Sequence, residues 1–305
     1  MRVHAPAKIN LALLVGPADE TGLHTVDSLF HFLEFGDTVT VEPAESLSLT
    51  CDVDLGITPE QNLAYRAAAA MGERFGFEPN VAIHIEKRIP HGAGLGGGSS
   101  DAAAVILALA TMHSIDPRSP EVLEFAATIG SDVPVFLSPE GAPIMTGHGE
   151  KFVRSTPAAV GLPVVIAKPE GVVAPTKDVY EAYDCMPYPP TSIEPTIGAF
   201  EVLVSNAPVG GPGTEWNRGV VFDFGHRLIN GLQLSAMRVD PAVHHVKVFL
   251  AEQRECLGTI VSGSGAASFA LCATDKAAAE VAARADRRGI WAVATRLAAR
   301  GVHVV

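Results

Sequence analysis

Twelve consecutive residues carry the clearest chemistry in this chain: Pro90, His91, Gly92, Ala93, Gly94, Leu95, Gly96, Gly97, Gly98, Ser99, Ser100 and Asp101. Five are glycines. A run of residues without Cβ can take positive φ and let a ligand approach the main chain. Before it, Val81, Ile83 and Ile85 alternate with Ala82, His84 and Glu86, the period of a strand. After it, Ala102, Val105, Ile106, Leu109 and Met112 recur at helical spacing, with Ser99, Ser100 and Asp101 as good N-cap types. Strand, glycine loop and helix N-terminus aim free N–H groups and a positive dipole end at one point, which suits a phosphate. A Walker loop would need a lysine after its last glycine. Here Ser99 follows Gly98, and no Gly-Lys pair exists in the chain. A dinucleotide fold would need a second parallel strand ending in an acid roughly 20 residues on. The segment 121–129 instead reads as another helix, so that reading is set aside.

The rest of the chain must position that loop. It has 305 residues, room for one large or two ordinary domains. Apolar residues make up 48% and charged ones 18%, enough for a sizeable core. The net charge of −12 argues against nucleic acid or an anionic membrane as partner. Cys51, Cys185, Cys256 and Cys272 are scattered, which favours reduced thiols and a cytoplasmic protein over a disulfide frame or zinc site. The start Met-Arg-Val-His-Ala-Pro lacks the apolar core of a signal peptide, and no apolar run reaches the ~18 residues of a spanning helix.

Several polar residues stand out against this background. In Ala5 to Val15, Ile9, Leu11 and Leu13 fall on one strand face while Lys8, Asn10 and Ala12 fall on the other. Lys8 and Asn10 are thereby expected to look into a site. The run 35–41 reads as a strand entered by a turn, with Asp37 in the turn. A helix is expected over 61–75 with Asn62 as its N-cap, and another over 121–129 ending at Gly130. Residues 163–167 and 290–295 read as strands, and 275–288 as a helix. Tyr188 to Pro195 is rich in proline, and the composition of 206–216 predicts a mobile loop. Thr176 either caps a helix or faces a ligand. Strands and helices are segregated in the α+β manner.

The glycine run, with Pro90 before it and Ala102 to Ala104 after it, resembles the ATP loop of the GHMP kinases, a superfamily of small-molecule kinases. Within it the chain is most similar to the branch acting on 4-diphosphocytidyl-2-C-methyl-D-erythritol. Pro6-Ala7-Lys8-Ile9-Asn10-Leu11 resembles that branch's opening signature. Gly22 and His24 match its Asp-Gly-Tyr-His, with Leu23 where tyrosine is usual. Gly130-Ser131-Asp132-Val133-Pro134 matches a further marker, and the turn around Gly263 and Gly265 a third. Phe222-Asp223-Phe224-Gly225 stands where the branch has Asn-Asp-Leu-Glu.

The resemblance implies two domains. Residues 1–155 would be like ribosomal protein S5 domain 2 and hold the ATP loop; residues 156–305 would be ferredoxin-like and complete the substrate site. It implies ATP and Mg²⁺, bound by residues 90–100 with Asn62 and Lys87, Ser99 or Ser100 lending the ion a hydroxyl. Lys8 and Asp132 would be catalytic, Asp132 as base. Asn10, His24, Phe30 and Thr176 would bind a cytidine-diphosphate-linked polyol, His24 at the base and Phe30 as one aromatic wall. The protein would be a monomer or homodimer. Two alternatives stand beside it: a GHMP kinase for another alcohol, and a non-catalytic nucleotide-binding relative.

Overall fold

The computed structural model describes residues 1–138, 140–185, 192–209 and 213–305. Residues 188–191 of the proline-rich stretch and 210–212 of the expected mobile loop lie outside them. The first half runs β1 (Arg2–Ala18), β2 (His24–Pro43), β3 (Ser48–Cys51), α1 (Leu63–Phe75), β4 (Val81–Glu86), α2 (Gly97–Met112), α3 (Pro120–Ile129), α4 (Val133–Leu137), β5 (Ala142–Thr146) and β6 (Lys151–Thr156). The second runs β7 (Pro163–Pro169), α5 (Thr176–Cys185), α6 (Glu194–Ser205), α7 (Arg218–Gly225), β8 (Ile229–Asn230), α8 (Gln233–Val239), α9 (Pro241–Ala251), β9 (Thr259–Val261), β10 (Ser268–Leu271), α10 (Asp275–Asp286), β11 (Ile290–Ala298) and β12 (His303–Val304). No helix among the described residues is long and apolar enough to cross a membrane. All four cysteines are thiols.

β1 and β2 form the long antiparallel hairpin on which everything else is hung. Its register shifts between Pro6 and Lys8, between Asn10 and Ala12, and between Val15 and Ala18. Such bulges re-aim side chains. The strict alternation expected through Leu13 therefore fails. Past the second bulge Ala12 joins Ile9 and Leu11 in one cluster, while Leu13 packs with Val15 in another. The hairpin does not turn at Asp37 either: β2 continues through it, and Asp37 is fully buried.

α2 is buried on nearly every side, from Ser100 to Ala110 with only Leu107 partly exposed. Its alanines let it lie close to the hairpin on one side and to α1 and α4 on others. An all-round buried helix is a core element rather than a surface amphipath. It begins two residues earlier than the serines suggested. Gly96, at φ +73°, is the N-cap, and no side chain caps it. Backbone shape has done what a serine N-cap would have done, and Ser99 and Ser100 sit inside the first turn. Gly130 ends α3 in extended backbone rather than in a left-handed cap.

In the second half, β9, β10, β7 and β11 pair antiparallel in that order, with α9 and α10 packed through Val246, Phe249, Leu250 and Val281. β11 also pairs with β2, Leu297 opposite Leu33 and Ala298 opposite Phe32, and so joins the strands of both halves into one sheet. The chain then passes α4, where Val302 N–H donates to Phe136 O at 3.0 Å, and pairs β12 with β1.

Candidate active site

Two segments hold the glycine loop in place. Lys8 N–H on β1 donates to Leu95 O at 2.9 Å. The turn between β9 and β10 donates from Ala266 N to Gly92 O and from Ala267 N to Ala93 O, while Ser262 Oγ donates to Gly94 O at 3.1 Å. Gly94 (φ +72°) abuts that turn so tightly that a Cβ would run into Ser262 O. At Gly96 a Cβ would lie 2.8 Å from the Phe136 ring and 2.9 Å from Lys8 Cγ. Both positions therefore require glycine on space and on φ. The loop ends in uncapped amides at the head of α2, a helix long enough to carry a full dipole.

Beside Gly96 lies the sparse set of groups that could do chemistry. Lys8 Nζ donates to Asn10 Oδ1 at 2.8 Å and stands 3.5 Å from Asp132 Oδ2. Asn10 Nδ2 donates in turn to Ser28 Oγ, which donates to Ala12 O, so amine and amide are both oriented from behind. The Lys8 side chain is 5% exposed and that of Asp132 31%, so the carboxylate is the member of the pair that faces solvent. Asp132 sits at the head of α4 and caps nothing with its side chain. Gly149, in the 147–150 turn, brings its Cα side to Asp132 Oδ1. Gly263 approaches Lys8 Nζ and Asn10 Oδ1 from the second half.

A second group lies around His24. Its Nδ1–H donates to Gly16 O at 2.8 Å, and Nε2 is 3.3 Å from Asp184 Oδ1. The Tyr180 ring lies 5.0 Å from the His24 ring, and Tyr183 lies edge-on at 5.8 Å. Tyr180 also feels Asp132: burial first, then that carboxylate, push its phenol up to about 12. Thr176, four residues earlier on α5, shares a hydrogen bond with Ser264 Oγ at 3.1 Å. Leu23 is 55% exposed at the hairpin tip.

Phe30 is not beside His24. It is buried under Lys8, the ammonium 5.2 Å from the ring centre, and six residues of extended strand, about 20 Å, separate it from His24. The aromatic groups next to His24 are Tyr180 and, edge-on, Tyr183; Tyr180 was missed in the sequence reading. Its spacing of four from Thr176 on one helix was the available signal. Phe222 to Gly225 lie on α7, where Phe224 is buried in the core and Phe222 packs at a tilt against His226.

Lys87 and Asn62 mark the other flank of the loop. Asn62 caps α1, accepting from Ala64 N at 2.9 Å. Leu63 beside it approaches Gly98. Asn62 also lines a cavity of about 320 Å³ with Leu49, Cys51, Val53, Leu55 and Ile57. Lys87 Nζ is not offered to that space. It is held at 2.5 Å by Asp37 and 2.6 Å by Asp101. Burial works against this ammonium, but the two carboxylates outweigh it and keep its pKa above the ordinary value. Burial likewise pushes Asp101 up to about 7 against the pull of Lys87. Ser100 Oγ is buried without a hydrogen-bond partner among the described residues, while Ser99 is partly exposed and near Gly130.

Glycine loop, uncapped helix head and adjacent lysine–aspartate pair on this α+β frame define a small-molecule kinase of the GHMP type. Residues 62–139 match the model of the GHMP kinases N terminal domain. The chain is 34% identical over 274 residues to the 4-diphosphocytidyl-2-C-methyl-D-erythritol kinase of Caldicellulosiruptor bescii, covering 89% of each chain. It is 35% identical over 303 residues to that of Xanthobacter autotrophicus, covering 97% of this chain and 99% of the other. The chain belongs to the 4-diphosphocytidyl-2-C-methyl-D-erythritol kinase family, whose members use ATP. A crystal structure of 4-(cytidine 5'-diphospho)-2C-methyl-D-erythritol kinase superposes with a TM-score of 0.74 at 33% identity, over 97% of this chain and 99% of that one. A homoserine kinase from Cytophaga hutchinsonii shares the fold, with a TM-score of 0.71 at 19% identity over 100% of this chain and 97% of its own.

Proposed function

We propose that this chain transfers the γ-phosphoryl group of ATP to the 2-hydroxyl of 4-diphosphocytidyl-2-C-methyl-D-erythritol in the cytoplasm. The observation that carries the mechanism is the placement of Lys8 Nζ 3.5 Å from Asp132 Oδ2, directly beside Gly96 at the head of the loop. The amides of residues 92–99 and the positive end of α2 hold the phosphates. Residues 1–155 supply this half of the site, and residues 156–305 close it through Thr176, Tyr180 and the Gly263 turn.

The substrate oxygen attacks the γ-phosphorus as its proton passes to Asp132. The bond from phosphorus to the β-phosphate oxygen breaks, and its electron pair leaves with ADP. Lys8 offsets negative charge on the moving group. Phosphoryl transfer asks for little beyond such positioning and electrostatic support. The alcohol's cytosine lies against the edge of the His24–Tyr180 ring pair, and Asn10 and Thr176 orient the polyol.

Magnesium fits this site only as a companion of ATP. Among the described residues no group of three or more His, Cys, Asp or Glu could cage an ion. The phosphates would carry it, and the partly exposed Ser99 hydroxyl would reach it more readily than the buried Ser100. When bound, it neutralises phosphate charge. The cavity beside Asn62, whose apolar side chains stand among Asp52, Asp54 and Thr58, takes the adenine.

The test is direct. Purified protein, ATP, magnesium and 4-diphosphocytidyl-2-C-methyl-D-erythritol should yield ADP and a product with one new phosphomonoester by ³¹P NMR. ADP formation with some other alcohol but not with this one would remove the substrate assignment and leave the kinase.

A further inference from the structure

The loop leaves β4 at Lys87 and enters α2 at Gly97, and both ends converge on a single ammonium. Lys87 Nζ lies between Asp37 Oδ2 on β2 and Asp101 Oδ2 one turn into α2. The three side chains are 8%, 0% and 3% exposed. Asp37 spends its other oxygen on the first amides of the loop, accepting from Arg88 N at 2.5 Å and Ile89 N at 2.8 Å. Asp52, at the end of β3, accepts from Lys87 N at 2.8 Å. A Cβ on Gly97 would stand 3.0 Å from Lys87 Nζ, so the ammonium fills the space directly under the head of the helix.

Two acids and one amine, all dry, are a poor device for stability alone. Apolar replacements of buried ion pairs are often neutral or stabilising. What the set does geometrically is different. Asp37 fixes where the loop starts, Asp101 is part of where it stops, and Lys87 ties one to the other. We infer that Asp37, Lys87 and Asp101 form a staple across the base of the loop that sets the width of the phosphate cradle, with Lys87 a positioning residue acting from beneath the nucleotide. This rests on the reading of the loop as the ATP site.

The experiment measures binding of a fluorescent ATP analogue without the alcohol, alongside steady-state kinetics and Tm. Lys87→Met should weaken ATP binding at least tenfold, and the loss should fall on the ATP KM rather than on kcat or the KM for the alcohol. That variant leaves two buried carboxylates facing each other, so the double variant Lys87→Met/Asp101→Asn accompanies it. The double variant removes one of the two charges and leaves Asp37 its backbone amides. Its Tm should return toward wild type while ATP binding stays weak. Recovery of ATP binding together with Tm would overturn the staple and leave a folding role. So would a loss confined to kcat, which would put the ammonium on the reacting phosphate. Wild-type protein that binds no ATP would instead overturn the reading of the loop itself, and the staple with it.

Discussion

The two sides of the cleft are built differently. In the proposed reading the phosphate side works through backbone, at the head of a helix buried on nearly every side. In the same reading the alcohol side works through side chains: His24 near a hairpin tip, Tyr180 and Asp184 on α5, Thr176 against Ser264. A surface made of main chain can be made in few ways, because positive φ and close approach demand glycine. A surface made of rings and hydroxyls can be furnished from several elements. Here a ring from α5 stands by His24 while the hairpin position bears an exposed leucine.

That contrast can be broken at four places. Asp132→Asn should fold and bind ATP yet lose two or more decades of kcat, the usual scale for a general base. Near-normal turnover in that variant would falsify the role given to Asp132. The second effect concerns the frame common to both sides. His31 is fully buried and neutral, donating from Nδ1 to Phe32 O and accepting at Nε2 from Ala159 N. Burial lowers its pKa to about 4. An unfolded histidine titrates near 6.5, so between about pH 6.5 and 4 the unfolded state binds more protons and acid erodes stability, by on the order of 3 kcal/mol. Urea melts across that window should show the slope, and His31→Gln should flatten it; equal slopes would remove His31 as the cause.

Smaller changes separate the two sides from each other. Tyr180→Ala should raise the KM for the cytidine substrate about tenfold, as loss of one base-stacking ring does, without moving the ATP KM. Tyr180→Phe should stay near wild type, since the ring and not the phenol is used. An ATP KM that rises in step would mean α5 shapes the whole cleft. Leu23→Tyr should have the least effect, within about threefold on the same KM, if Tyr180 already serves. A large gain in affinity would show that the hairpin tip had been missing a contact.

How much was legible follows the same division. Five glycines in seven positions could only mean a shaped backbone, and alternation around Lys8 and Asn10 pointed a polar pair inward. That these residues would share one place with Asp132 came from family resemblance, since nothing in a linear chain brings residue 8 to residue 132. The start of α2 was misplaced because serine is the commoner cap, whereas Gly96 does the work with a dihedral angle. Asp37 looked like a turn acid because isolated acids in strands usually are. Its real partners, two amides and an ammonium some fifty positions away, leave no local trace. Tyr180 was one tyrosine among four until α5 was seen beside His24.

The return of the last strands has a consequence for how the protein is made. β11 lies against β2, Val302 holds the end of α4, and β12 borders β1, so the first half is finished by residues from 290 to 304, far along the chain. A nascent chain stopped short of residue 290 would present bare strand edges where β11 and β12 belong. Synthesis must therefore run past residue 304 before the strand that carries Lys8 has both its sheet neighbours.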